Sequence, residues 1–167
     1  MPTNSKHNTA QAKPTLEGFL IIDKPAGLAV HAGSEIAFGV IESLRHQRPE
    51  TPFIELAHRL DRHTSSCLLL ARNRSALHSL HTQFREDRPQ AVLKRYLALV
   101  SGHWPEPVYR VAEPLKRRTN ARQGHRMQVD DSGRAAATGF APLEHFDGAS
   151  LVEIRLETGR THQARVH

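Results

Sequence analysis

Apolar and polar positions alternate in short runs along most of this chain, and glycine and proline separate the runs. Gly18-Phe19-Leu20-Ile21-Ile22 is apolar and β-branched, which predicts a strand. Asp23-Lys24-Pro25-Ala26-Gly27 stops it, because Pro and Gly favour a turn. Leu28 to His31 predicts a short second strand. Between Ile36 and Arg48, Ala37, Val40, Ile41 and Leu44 recur at helical spacing, and Pro49 and Pro52 end that helix. Cys67-Leu68-Leu69-Leu70-Ala71 is an uninterrupted apolar run and predicts a buried strand. Asn73 then caps a predicted helix from Arg74 to Glu86, with Ala76, Leu77, Leu80 and Phe84 turned inward.

The second half reads mainly as strands. Lys94 to Val100 is a basic entry to a buried strand, closed by Ser101-Gly102-His103, and Val108 to Ala112 predicts another. Lys116-Arg117-Arg118 through Arg122 and Arg126 predicts a basic loop suited to phosphates or simply to water. Met127 and Val129 alternate with polar neighbours, Asp130-Asp131-Ser132-Gly133 is a hairpin turn signal, and Ala135 to Leu143 is the expected return strand. Leu151 to Leu156 alternates, with Val152, Ile154 and Leu156 on one face. A helix is expected to begin near Thr161, and the sequence stops at His167. About eight strands and two or three helices, joined mostly by hairpins, predict an α+β fold: a mixed, largely antiparallel sheet with packed helices.

Composition changes the picture in one direction. With 167 residues and a net charge of +6, the chain suits one domain with a polyanionic partner, nucleic acid first. A single cysteine excludes a disulfide framework and fits a reducing cytosol, and Cys67 is expected to be packed rather than reactive. No apolar stretch is long enough for a membrane span. Residues 1–16 read as a disordered lead-in without the apolar core of a secretory signal, so a cytoplasmic location is expected. The 12 histidines show no zinc spacing, and His78 and His81, three apart, predict a polar helix edge rather than a metal site.

The densest chemistry lies in His58-Arg59-Leu60-Asp61-Arg62-His63-Thr64-Ser65-Ser66, just before the apolar run. One carboxylate stands between two arginines at a strand edge. The residues alone allow two readings, a structural Arg–Asp pair or a reactive site. Tyr96 after Lys94-Arg95, and Gly159-Arg160-Thr161-His162-Gln163-Ala164-Arg165, place similar side chains at a strand and at a helix start.

Together these stretches resemble the RluA-type pseudouridine synthases. The match rests on His58-Arg59-Leu60-Asp61-Arg62 with Thr64-Ser65, Asp23-Lys24-Pro25-Ala26-Gly27 with His31, Lys94 to Val100, and Thr158-Gly159-Arg160-Thr161-His162-Gln163 with Arg165-Val166-His167. His31 to Ser34, Phe38 to Glu42, Arg48-Pro49-Glu50 and Ser75 to His81 are most similar to the RluC branch, which acts on large-subunit (23S) ribosomal RNA. The resemblance implies a catalytic domain over residues 17–167, lacking its C-terminal part and any S4-type RNA-binding domain. It implies isomerisation of uridine to pseudouridine in the cytoplasm by a monomer, with no cofactor and no metal. It implies Asp61 as the catalytic carboxylate, Arg160 as its ionic partner and Tyr96 against the uracil. Arg59 would hold the flipped nucleotide out, and Lys24, Arg62, Lys94 and Arg165 would contact RNA phosphates. Three positions depart from the family pattern: His63, Ser66 where the family carries Gly, and Ala164 where it carries a larger aliphatic residue. A positive φ at position 66 would make Ser66 costly. The alternative is a truncated, vestigial RNA-binding fragment with impaired catalysis.

Overall fold

The structure, a computed structural model, describes residues 18–33, 38–85, 92–105, 109–120 and 124–167. The expected lead-in and the start of the first helix lie outside these residues. Two compact units divide the chain, Met1–Arg85 and Glu86–His167.

In the first unit, strand alternation sets the core. On β1 (Phe19–Lys24) the inward positions are Leu20, Ile22 and Lys24, all buried. β1 pairs antiparallel with β3 (Ser66–Ala71), setting Leu20 opposite Leu70 and Ile22 opposite Leu68. A two-residue strand, β2 (Glu55–Leu56), covers the other edge of β3, giving the order β1-β3-β2. The same alternation corrects the reading of Cys67. An apolar run does not bury every residue, and Cys67, opposite Asp23, points outward and is exposed.

Helix α1 (Val40–Gln47) buries Val40, Ile41 and Leu44, as its spacing requires. The expected strand at residues 28–31 is instead a loop that meets the start of this helix. Val40 and Ile41 donate to the carbonyls of Ala29 and Val30 at 3.0 and 3.1 Å, so that segment runs as a loop tied to a helix end. Gly39 is required there, since a Cβ would lie 2.4 Å from the His31 backbone. The Glu42 carboxylate accepts from the N–H groups of Gly39 and Ala32 at 2.9 and 3.1 Å. Helix α2 (Arg74–Phe84) is capped by Asn73, whose side chain accepts from Ala76 N–H at 2.8 Å. Ala76 is buried, whereas Leu77, Leu80 and Phe84 are half-buried.

The second unit is built on a four-stranded antiparallel sheet of order β4-β9-β8-β5, from β4 (Lys94–Ser101), β5 (Tyr109–Val111), β8 (Thr138–Phe146) and β9 (Ala149–Leu156). Phe140, Val152 and Ile154 form its buried centre, with Tyr96, Ala98, Val100 and Trp104 packed against them. On the opposite face Leu97 and Leu99 are 67% and 68% exposed. The expected basic loop is instead an antiparallel ribbon of β6 (Leu115–Asn120) and β7 (Gly124–Val129). β7 therefore pairs with β6, while the strand expected as its return, β8, pairs with β9 and β5. The short helix α3 (Gln163–Val166) follows His162, whose φ is 53°.

Candidate active site

Strand alternation forces a lysine onto the core face at position 24, and the surrounding chain meets its charge. Lys24 Nζ donates to the carbonyls of Pro25, Leu28 and Arg62 at 3.0, 2.9 and 3.2 Å. An ammonium has three protons, so every donor is placed. Burial pushes its pKa below the ordinary lysine range, and the charge of Asp61 opposes that shift. Lys24 was expected at a phosphate. Its side chain is wholly buried, so the phosphate contact gives way to a different relation, a buried cation coupled to Asp61.

Arg62 completes the join between the two loops. Its Nε donates to Gly27 O at 3.0 Å, and its own carbonyl accepts from Gly27 N–H at 2.8 Å. Gly27 has φ +87°, which only glycine adopts without strain. Asp61 is partly exposed, its carbonyl closing a turn with Thr64 N–H at 3.1 Å. Leu60 beside it is 6% exposed and anchors the loop, while Arg59 and Arg62 are exposed. His58 has a role the sequence did not disclose. Its Nε2 accepts from Leu69 N–H at 3.0 Å, and its ring lies 4.8 Å from that of Phe84, tying the loop to β3 and α2. Among the described residues only His162 combines a side chain with positive φ, so Ser66 carries no backbone strain.

In the second unit, Gln163 organises the loop that carries Arg160. This glutamine is 1% exposed. Its Oε1 accepts from Thr158 Oγ1 at 2.7 Å and from Arg160 N–H at 3.0 Å, and its Nε2 donates to Ala137 O at 2.9 Å and Thr138 Oγ1 at 2.8 Å. All four amide hydrogen-bonding positions are filled. Arg160 Nε donates to Ala135 O at 2.9 Å. His167 ends α3, with Nε2 on Glu113 O at 3.0 Å and Nδ1 on Thr138 Oγ1 at 2.8 Å. The carbonyl requires a proton on Nε2. In that tautomer Nδ1 carries no proton and accepts from the Thr138 hydroxyl. Sequence reading singled out Arg160 and passed over Gln163, although a buried amide beside a Thr-Gly-Arg turn is the kind of residue that fixes such a loop.

Tyr96 is half-buried on β4 opposite Ile154, with its ring against the core of this unit. Lys94 starts the same strand, half-buried, and Arg165 is exposed on α3. The structure thus brings Lys24, Asp61 and Arg62 together within the first unit. Tyr96, Lys94, Arg160 and Arg165 belong to the second. Arg160 also lines a cleft of about 430 Å³ with Lys116, Arg117 and Arg134. Close by, the Ser132 hydroxyl and then Arg118 hold the Asp130 carboxyl down at about 2. His78 and His81 are exposed on α2.

Comparison with known proteins agrees with the motifs. A protein of Pasteurella multocida (strain Pm70) named ribosomal large subunit pseudouridine synthase C is 47% identical over 151 residues, covering 90% of this chain and 45% of the relative. Its namesake in Escherichia coli (strain K12) is 49% identical over 148 residues, covering 89% and 46%. The chain therefore spans about half the length of the curated relatives it matches. Among solved structures, human RNA pseudouridylate synthase domain containing 1 superposes with a TM-score of 0.74 at 28% identity, covering 95% of this chain and 64% of that one. Human RNA pseudouridylate synthase domain containing 4, at 24% identity and a TM-score of 0.67, shares the fold. The description "RNA pseudouridylate synthase" matches residues 18–167, which hold the Asp61 loop, Tyr96 and the Arg160 loop alike, and the chain belongs to that family.

Proposed function

We propose that this chain isomerises specific uridines of 23S ribosomal RNA to pseudouridine, acting in the cytoplasm as a monomer. The reaction breaks the bond from N1 of uracil to the sugar, turns the base and rejoins it through C5. The proton on C5 is lost and N1 ends protonated. No electrons enter or leave, so the chemistry calls for neither cofactor nor metal.

Asp61 supplies the carboxylate, either as nucleophile or as the group that assists deprotonation of the sugar. Arg160 is its ionic partner, and a nearby guanidinium favours the charged carboxylate. Tyr96 stacks on the uracil and helps remove the C5 proton. Arg59 holds the nucleotide out of its stack, against an unstacking cost of roughly a few kcal/mol. Arg62, Lys94 and Arg165 meet phosphates. Lys24 supports Asp61 from beneath, because its donors are spent on carbonyls.

The single observation that carries the reading is the stitched Asp61 loop, in which a buried ammonium and two bonds between Arg62 and Gly27, one main-chain and one from the Arg62 guanidinium, hold a partly exposed carboxylate. Rigid support of this kind is what a reacting group needs. A second reading is RNA binding without turnover; Leu97 and Leu99 are exposed on a sheet face they share with Arg95, Glu153 and Arg155, and apolar surface left in water forgoes about 25 cal/mol per Å² of stabilisation.

Mapping pseudouridine in 23S rRNA from a strain lacking the gene, complemented with wild type or Asp61→Ala, separates the two readings. Wild type should restore the missing modifications and Asp61→Ala should restore none. Equal restoration by both would remove Asp61 from catalysis, and no restoration by either would support the second reading. Tyr96→Phe in the same assay keeps the stacking ring and removes the hydroxyl, so normal turnover there would exclude the proton-transfer role.

A further inference from the structure

The β6–β7 ribbon is basic in a way its own stability does not explain. Directly opposed residues share a face, so Arg118 and Arg126 confront one another across the ribbon, one step beyond the pair Lys116 and Gln128. Like charges directly opposite are destabilising. At the root of the ribbon the charge becomes denser. The cleft of about 430 Å³ is lined by Leu115, Lys116, Arg117 and Met127 from the ribbon, by Ser132, Gly133 and Arg134 from the turn after it, and by Gly159, Arg160 and Thr161. It gathers four cations, and no carboxylate is among the described residues that line it.

The local fold fixes the main chain of Arg134 and the ammonium of Lys116. Arg134 is fixed by a reciprocal pair of backbone bonds with Leu115, each 2.9 Å. Gly133 permits that approach, because a Cβ there would lie 2.6 Å from the Leu115 carbonyl carbon. Lys116 Nζ donates to Ser132 Oγ at 2.7 Å. The nearby carboxylate, Asp130, is engaged by Arg118 at 3.0 Å and by Ser132 N–H and Oγ at 3.0 and 2.6 Å. A concave site ringed by one sign of charge focuses potential on an anion, and the volume is in the range of small-ligand pockets.

We infer that this cleft is an RNA subsite that takes a backbone phosphodiester of the substrate, gripped by Lys116, Arg117 and Arg134 beside Arg160. The inference rests on the reading of the chain as an RNA pseudouridine synthase. Arg126, exposed farther along the ribbon, extends the positive charge beyond the cleft, which fits a polyanion better than an isolated phosphate.

The test is the salt dependence of binding to a short uridine-containing stem-loop RNA by the full 167-residue chain. Each phosphate contact contributes about 0.7 to the slope of log K against log salt for single strands. The triple variant Lys116→Gln, Arg117→Gln, Arg134→Gln should therefore bind with a slope shallower by roughly 2. The charge-preserving set Lys116→Arg, Arg117→Lys, Arg134→Lys should keep the wild-type slope, and so should Arg110→Gln, which removes a surface cation paired with Glu157. Should the triple variant fail to fold, Arg117→Gln and Arg134→Gln singly carry the test, each with a drop of about 0.7. An unchanged slope in the Gln variants overturns the subsite, as does an equal loss in the charge-preserving set. Millimolar inorganic phosphate at fixed ionic strength should not displace the RNA, and if it does so from wild type alone the cleft is a small-anion site and the RNA assignment fails. A wild-type chain that binds no RNA overturns both the subsite and the functional reading beneath it, whereas an unchanged slope with intact binding overturns the subsite alone.

Discussion

The Asp61 loop and the Arg160 loop solve the same problem with different chemistry. Each must hold a charged residue on a short irregular segment at the edge of a sheet. The first does it with a buried charge. Lys24 gathers three carbonyls, and its ammonium feels Asp61. The second does it with a neutral amide, Gln163, whose two donors and two acceptors meet Thr158, Arg160, Ala137 and Thr138. A cation attracts a carboxylate and supports it electrostatically. An amide fixes geometry without adding a net charge, which suits a loop whose own residue is already a cation.

The comparison breaks most visibly at Lys24. Replacing it by Met keeps the length and removes all three donors, leaving the carbonyls of Pro25, Leu28 and Arg62 buried without them. Unsatisfied buried groups cost about 1–3 kcal/mol apiece, offset by the relief of burying no charge, so Lys24→Met should lose roughly 3 kcal/mol in urea unfolding. A loss under about 1 kcal/mol would show that the ammonium is dispensable to the loop.

The Arg160 loop should respond less, and in a pH-dependent way. Gln163→Glu turns a donor into an acceptor facing Ala137 O. About 2 kcal/mol should be lost at neutral pH and part of it recovered in acid. The sign follows from burial, which raises the folded-state pKa of the new carboxyl above its unfolded value. The folded state then binds more protons across that window, and stability falls as pH rises. A pH-independent loss in thermal unfolding would contradict the amide's assigned orientation.

The smallest effect is expected at Glu42, at the start of α1. Burial pushes its carboxyl up, but the N–H groups of Ala32, Glu42 itself and Gly39, together with His31, outweigh this and leave the pKa lowered. A depressed folded pKa means that the unfolded state binds more protons. The contribution of Glu42 is present above the unfolded carboxyl value and is lost as pH falls through the folded one. Glu42→Gln should flatten the acid limb of the stability profile by less than about 1 kcal/mol, and an unchanged limb would exclude the contribution.

Much of this was legible where the signal is local. The strands around Leu20 and Leu68, the Asn73 cap and the alternation of Val152 and Ile154 are each written in a few adjacent residues, and the motifs around Asp61, Tyr96 and Arg160 led to the family that the comparisons support. What was missed depends on distant partners. The register of β6 with β7 is set by which strand is nearby, so a run of cations read as a loop. The exposed Cys67 and the buried Lys24 both follow from pairing phase on β1 and β3, and a one-residue change of phase reverses every side chain. Gln163 was overlooked because its partners at Ala137 and Thr138 lie 26 and 25 residues away.

Position 24 also sets a limit on interchangeability. Across most of a basic surface, lysine and arginine replace one another at little cost. Here the cationic head is compact, and its three protons diverge to carbonyls drawn from two separate loops. A planar guanidinium sends its donors out in a fork and is larger than the space an ammonium fills. Arginine at 24 would keep the charge and lose the fit, so this one lysine is held to its identity by shape, whereas the exposed Arg62 on the neighbouring loop reaches its single carbonyl partner, Gly27, from the surface.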